Sequence, residues 1–432
     1  MIIRLVITLV ALVVWLPVAV FAQNQAAENH NQPVRIVIRA ARLLDVEKGT
    51  LINNAVVLIE GERISAVGSG LPIPAGAKVI ELGDMTVLPG LINCHTHLLA
   101  SIADDDYARM LLTKSQAYRA LEGASNARRT LLAGFTSVRD VENEGTGYAD
   151  VALRDAINDG LVEGPRMLVA TRGIAAVGQY NPFGVSPDLP DFPRGAQMVS
   201  GAEEARRAVR EQIGNGADLI KVYADWDYPT LTVEELRVVV EEAHKAGRRV
   251  AAHAVTREAI SNAVNAGVDS IEHGWGADRA TLELMKEKGV WLVPTEGSTV
   301  NRVADAKDEQ TRSGFQRRLT RIRQMLKTAR EVGVKIANGY DPAEKQAHGT
   351  NAREIVALHD AGFSSFESIR AATASAAELM GWRDRVGSLE AGKFADVIAV
   401  RGNPLSDIKQ LEHVRFVMKG GVVVKDERGA IR

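Results

Sequence analysis

The stretch Thr232-Val-Glu-Glu-Leu-Arg-Val-Val-Val-Glu-Glu-Ala-His-Lys-Ala-Gly-Arg-Arg-Val-Ala-Ala-His253 decides the fold. Thr232 with Glu235 three residues on is a pair that can close a helix start from both sides. Leu236, Val239, Val240 and Ala243 then fall on one helical face. Gly247 suits the left-handed position that ends a helix, and Val250-Ala251-Ala252-His253 reads as a short strand. The same succession of helix, glycine and strand recurs around Gly134, Gly164, Gly216, Gly267, Gly289 and Gly333. The strands after these glycines are Thr136–Val138, Arg166–Val169, Leu219–Val222, Ser270–His273, Val290–Val293 and Val334–Ala337. With Leu91-Ile92-Asn93 they make eight units and predict a (β/α)8 barrel over residues 89–385. An open doubly wound sheet is the alternative. Ser200-Gly-Ala-Glu203 reads as a further capping box.

The flanks have a different texture. Residues 34–88 and 386–432 carry short β-branched runs punctuated by glycine, such as Ala55–Glu60, Ala395–Val400 and Val422–Val424. They predict one small β-sandwich built from both termini, so the expected class is α/β, a TIM barrel with a composite β domain. Ahead of it, Arg4, the apolar run Leu5–Phe21 and the small-residue pattern ending at Ala22 read as a secretory signal peptide over 1–22. An uncleaved anchor is the competing reading, and 23–33 is expected to be a flexible lead-in. Cleavage would put a soluble enzyme, free of the membrane, in the periplasm or outside the cell.

The chain has 432 residues, a net charge of −2, and 52 Lys+Arg against 54 Asp+Glu. No basic excess points to nucleic acid. One cysteine, Cys94, excludes an intrachain disulfide and four-cysteine zinc modules. A homo-oligomer stays open.

Candidate ligands fall at the carboxyl ends of the barrel strands, where barrel enzymes place their chemistry. His95-Thr96-His97 ends the first, His253 the fifth and His273 the sixth, and Asp341 follows the eighth. Residues two apart share a strand face, so His95 and His97 can converge on one ion. Each histidine alone reads as well as a core residue; the set with Asp341 suits Zn²⁺ or a similar divalent ion. Lys221 interrupts an apolar strand. Buried, it sheds its proton, and the free amine can add CO2 to form a carbamate that bridges two ions. A lysine paired with an acid is the other reading. Tyr223 shares Lys221's parity and reads as a substrate-carboxylate or carbonyl binder, or as packing. His348, after the eighth strand, could face the pocket. Arg172–Ser200 reads as a long active-face loop rich in glycine and proline. Cys94 and the Arg139-Asp140 pair read as structural or supporting.

Val87-Leu-Pro-Gly-Leu-Ile-Asn-Cys-His-Thr-His97, Lys221, His253, His273, Asp341 and Gly387–Asp396 resemble the amidohydrolase superfamily of metal-dependent hydrolases over nearly the whole mature chain. The resemblance implies a binuclear centre. His95, His97 and Asp341 would hold one ion and His253 and His273 the other, with N6-carboxylated Lys221 and a hydroxide bridging them. Ala217–Asp225 and Ala266–Gly274 look most like the imidazolonepropionase-related group. That group holds prolidase-like Xaa-Pro dipeptidases, Xaa-Arg and Xaa-Lys carboxypeptidases and ochratoxin-type amidases. Imidazolonepropionase itself and the deaminases generally lack the strand-four lysine, so Lys221 argues against both. Tyr340 stands where that group often has a small residue and is expected to narrow the pocket.

The expected activity is hydrolysis of an amide bond in a dipeptide or N-acyl amino acid, with Asp341 as base and then acid. Hydrolysis of another amide, a lactam or an ester is the alternative. A noncatalytic barrel is the remote one, disfavoured because every ligand position is filled.

Overall fold

The computed structural model describes residues 35–428 apart from 104–105, 181–184, 187, 190–191 and 227. The expected signal segment and lead-in lie outside the described residues. No helix among the described residues is long and apolar enough to cross a membrane.

Among the described residues five strands come first: β1 (Arg35–Asp45), β2 (Thr50–Glu60), β3 (Arg63–Ser69), β4 (Lys78–Glu81) and β5 (Met85–Pro89). Nine follow in the middle: β6 (Leu91–Thr96), β7 (Phe135–Asp140), β8 (Arg166–Val169), β9 (Gly173–Ala176), β10 (Ala196–Val199), β11 (Leu219–Tyr223), β12 (Arg249–Ala254), β13 (Ser270–His273) and β14 (Trp291–Val293). Three close the chain: β15 (Val397–Arg401), β16 (Phe416–Lys419) and β17 (Val422–Asp426).

Strands from both ends share one sheet, in the order β17-β16-β15-β5-β1-β2-β3, with β4 on β1. Adjacent residues of its central strands point to opposite faces. Val87, Val397 and Phe416 join Ile38, Val57, Ile59 and Ile80 in one core. Leu88, Ile398 and Val417 join Leu131, Phe135, Ile355 and Ile369 in another. The first face closes over itself, because Ile64 exchanges backbone hydrogen bonds with Gly392 and Lys393. The second packs the sheet against the middle of the chain.

The middle strands are all parallel and form two hydrogen-bonded groups, β6-β7-β8 and β10-β9-β11-β12-β13-β14. Backbone bonds connect the groups at both junctions. At one, Asp218 N–H donates to the Val169 carbonyl. At the other, residues 335–341 exchange bonds with Leu292 of β14 on one side; on the other they accept from Cys94 N–H at the Asn338 carbonyl and donate from Asp341 N–H to the His95 carbonyl. Ile220, Val222, Val250, Ala252 and Ile271 face outward onto Val209, Leu236, Val239, Ile260 and Leu282 of the helices. Lys221 and Ala251, of the other parity, face inward.

Three expectations change. Val334–Ala337 was expected to be a strand, but only Ile336 bridges, to Leu292. The ladder cannot extend because the Ile92 amide is taken by the Ala372 carbonyl and the Ile92 carbonyl by the Asn338 side chain. Arg172–Ser200 is not all loop, since β9 and β10 pair within it in parallel. The Ser200–Glu203 capping box does not form. Gly201, at φ +85°, occupies the cap position, and the Ser200 N–H is bonded by Glu204 one residue beyond the template. The Thr232–Glu235 box is present in both directions.

Gly90 is the hinge between β5 and β6, and a Cβ there would sit 2.0 Å from Thr136 Oγ1, itself buried. Gly90→Ala should therefore cost about 1–3 kcal/mol through overpacking. The shift of the denaturant midpoint measures it, and an unchanged midpoint would show that the junction yields freely.

Candidate metal centre and pocket

The carboxyl ends of the parallel strands open into a cavity of about 820 Å³. His95, His97, Lys221, Tyr223, His253, His273 and Asp341 all line it. Ligand atoms of His95, His273 and Asp341 lie within 4.8 Å of one another. His97 Nε2 is 3.3 Å from His95 Nε2 and 3.2 Å from Asp341 Oδ1. The His253 and His273 ring centroids are 4.6 Å apart. The donor set is imidazole and carboxylate, buried or half-buried and brought together in one cavity, which suits a divalent ion.

Backbone strain contributes to this convergence. Glu272 points inward, so the next residue of an ordinary strand would point away. His273 instead takes φ +70°, and Asp341 takes φ +57°. Both side chains are thereby turned toward the cavity, at a backbone cost of order 1–3 kcal/mol each.

Electrostatics prepares the imidazoles. Burial, then the Lys221 charge, lowers His95 to about 4. Burial also holds His253 and His273 well below the usual histidine range. All three are neutral and have a lone pair to offer. His97 is different. Burial opposes its charge, but Glu144 at 2.8 Å and Asp341 outweigh it and hold it well above the usual range. An ion bound there must displace a proton. The same histidines outweigh burial at Asp341 and keep its carboxyl well below the usual carboxylate range.

Lys221 is 1% exposed, and burial lowers its pKa. Among the described residues no carboxylate reaches its ammonium at ion-pair distance, and the Tyr223 ring lies 5.3 Å from Nζ to centroid.

The supporting residues were mostly missed in sequence. Glu272 Oε2 accepts from His95 Nδ1 at 2.7 Å, and its Oε1 accepts from Arg139 at 2.7 Å and from Ser270 Oγ at 2.6 Å. An acid inside the apolar strand Ser270–His273 was the available signal. Asp140 accepts from the Leu98 amide and Thr96 Oγ1, and Thr295 Oγ1 holds His273 Nδ1 at 2.8 Å. On one wall Glu142 accepts from Tyr180 and Tyr223, and Glu144 from Tyr107. Trp226 stacks on His253 with centroids 4.9 Å apart.

Two expected pocket residues lie elsewhere. Tyr340 is fully buried behind the cavity wall, its hydroxyl bonded to Thr350 and Asn301, so it does not narrow the opening. His348 turns its Nε2 to the Ala100 carbonyl and is not among the lining residues. Cys94 packs against Ala376, and burial pushes its thiol up to about 12. Of the loop Tyr180–Gly184, residues 181–184 lie outside the described residues.

The amidohydrolase family model matches residues 86–424. Ochratoxinase of Aspergillus niger is 32% identical over 430 residues, covering 90% of this chain and 87% of that protein. A solved Xaa-Pro dipeptidase with bound methionine in its active site superposes with TM-score 0.83 at 34% identity, covering 90% of this chain and all of the other. A prolidase solved with n-methylphosphonate-l-proline superposes with TM-score 0.82 at 31% identity, covering 91% and 100%.

If Glu272 orients His95, Glu272→Gln should weaken metal affinity about 10- to 100-fold. Competition with a chromogenic chelator measures this, and an unaltered affinity would remove Glu272 from the site.

Proposed function

The chain belongs to the amidohydrolase family and is a hydrolase of carbon–nitrogen bonds, and on that premise we propose that it cleaves dipeptides or N-acyl amino acids. The observation that carries the reading is the convergence of His95, His273 and Asp341 beside a buried lysine that has no acid partner among the described residues. The cavity volume suits a ligand of that size.

In this reading His95, His97 and Asp341 would hold one divalent ion, Zn²⁺ by the donor set, His253 and His273 would hold a second, and Lys221 as a carbamate would serve both. When bound, the ions supply Lewis acidity, polarising the scissile carbonyl and bringing water near neutrality in its acid strength. Asp341 is ionised at working pH and takes a proton from the attacking water. It then delivers that proton to the leaving nitrogen, so the amine departs neutral. Glu272 keeps His95 in the tautomer that presents Nε2 to the centre. Thr295 does the same for His273.

Two further readings belong here. The junction bonds of the parallel strands support a closed (β/α)8 barrel over 89–385, with 34–88 and 386–432 as its companion β-sandwich. The apolar run before Ala22 supports export to the periplasm or beyond. The ochratoxinase relative favours one alternative substrate class, an ochratoxin-type amide.

Turnover of Asp341→Asn should fall about 10²- to 10⁴-fold with metal content largely kept. Stopped assays with Xaa-Pro, Xaa-Arg and N-acyl amino acid substrates, beside elemental analysis, test this. Undiminished turnover would exclude Asp341 as the proton carrier. Intact-mass measurement of the metal-loaded protein should show one added CO2, lost in Lys221→Met. An unmodified mass with full activity would exclude the carbamate.

A further inference from the structure

A substrate ending in a carboxylate needs a cation in the pocket, and Tyr223 does not provide one. Its hydroxyl proton is given to Glu142, so the oxygen it shows the cavity is an acceptor beside a second acid, Glu144. Tyr223 therefore has no hydroxyl hydrogen left for a substrate carboxylate. The pocket's other end differs. The Tyr223, His253, His273 and Trp275 rings form a row with successive centroid separations of 5.3, 4.6 and 5.3 Å. The row continues into Arg318, whose guanidinium carbon lies 4.5 Å over the Trp275 ring and 5.5 Å from that of Phe315. The candidate metal-binding histidines thus stand between the Glu142–Glu144 pair and an aromatic wall that carries Arg318.

Of the arginines lining that wall, Arg318 is the one without a carboxylate partner among the described residues. Arg302 is bound to Glu344 at 3.1 Å, and Arg353 donates to Asn301 at 2.7 Å. Among the described residues no carboxylate lies within ion-pair distance of Arg318, and two aromatic faces hold it in place instead. Stacking fixes a guanidinium plane while leaving its N–H fork free to bind a carboxylate through two parallel bonds. An arginine so placed is partly desolvated and pre-oriented, which strengthens the bond it makes to an incoming anion.

We propose that Arg318 is the specificity residue that reads the free carboxylate of the substrate, with the scissile amide over His253 and His273. The assignment rests on the amide-hydrolase reading only for which bond is cut; the carboxylate recognition stands by itself. The helix Glu309–Val332 that carries Arg318 would then set the preference for acids over amides.

Calorimetric titration of the metal-loaded protein with N-acetyl-L-phenylalanine and with its carboxamide tests this. The wild type should bind the acid at least about tenfold more tightly. Arg318→Gln should lose about 10- to 100-fold for the acid and leave the carboxamide unchanged, and Arg318→Lys should restore part of the loss. With any N-acyl amino acid that is turned over, the loss should fall on KM with kcat little changed. Equal binding of acid and carboxamide, no measurable binding of either, or an equal loss for both in Arg318→Gln would overturn the proposal. Unfolding midpoints of both variants separate these outcomes from misfolding. Tight, Arg318-dependent binding of the acid by a protein that cleaves no amide would uphold this assignment while refuting the activity proposed above.

Discussion

The site depends on one carboxylate removed entirely from water. Glu272 is fully buried, yet burial is outweighed by Arg139 and then His95, which hold it at about 2. Arg139 also donates to Ser270 Oγ and the Cys94 carbonyl. Strands β6, β7 and β13 are therefore tied by a single ionic network, and the first imidazole of the centre is oriented by the same carboxylate. Such a pair adds little net stability, but stripping one partner from it costs about 3–5 kcal/mol. That asymmetry makes it a device for geometry rather than for strength.

Around this anchor, four of the six positive-φ non-glycine positions among the described residues gather at one end of the strands. Glu144, His273, Thr295 and Asp341 all have positive φ, and each touches the centre or a residue that does. The outward faces of the same strands compensate with the largest apolar core in the molecule, where Ile220, Val250, Ile271 and Leu326 are wholly buried. Stability is built on the outward parity and spent on the inward one, which is the usual division between a barrel's body and its catalytic face.

The pocket is chemically polarised. Acids and tyrosines cluster on the Glu142 side, where burial, then Glu144, raises Glu142 to about 7. Stacked aromatics and arginine occupy the Trp275 side. Between them stand the neutral imidazoles of His95, His253 and His273.

The sequence by itself determined the periodic α/β middle, the β-rich flanks and the residues that meet at the centre. Those features are local: strand parity and the helix–glycine–strand rhythm can be read from neighbours within twenty residues. It placed His95, His97, Lys221, His253, His273 and Asp341 at strand ends, and all of them line one cavity. Only the tertiary structure decided which residues support them. Glu272 and Arg139 are 133 positions apart, and Glu142 meets Tyr223 across 81. It also decided against Tyr340 and His348, whose polar atoms found Thr350 and the Ala100 carbonyl behind the wall. A buried polar atom must be satisfied by whichever partner the packing brings near, and that partner is set by contacts between distant segments, which no local pattern encodes.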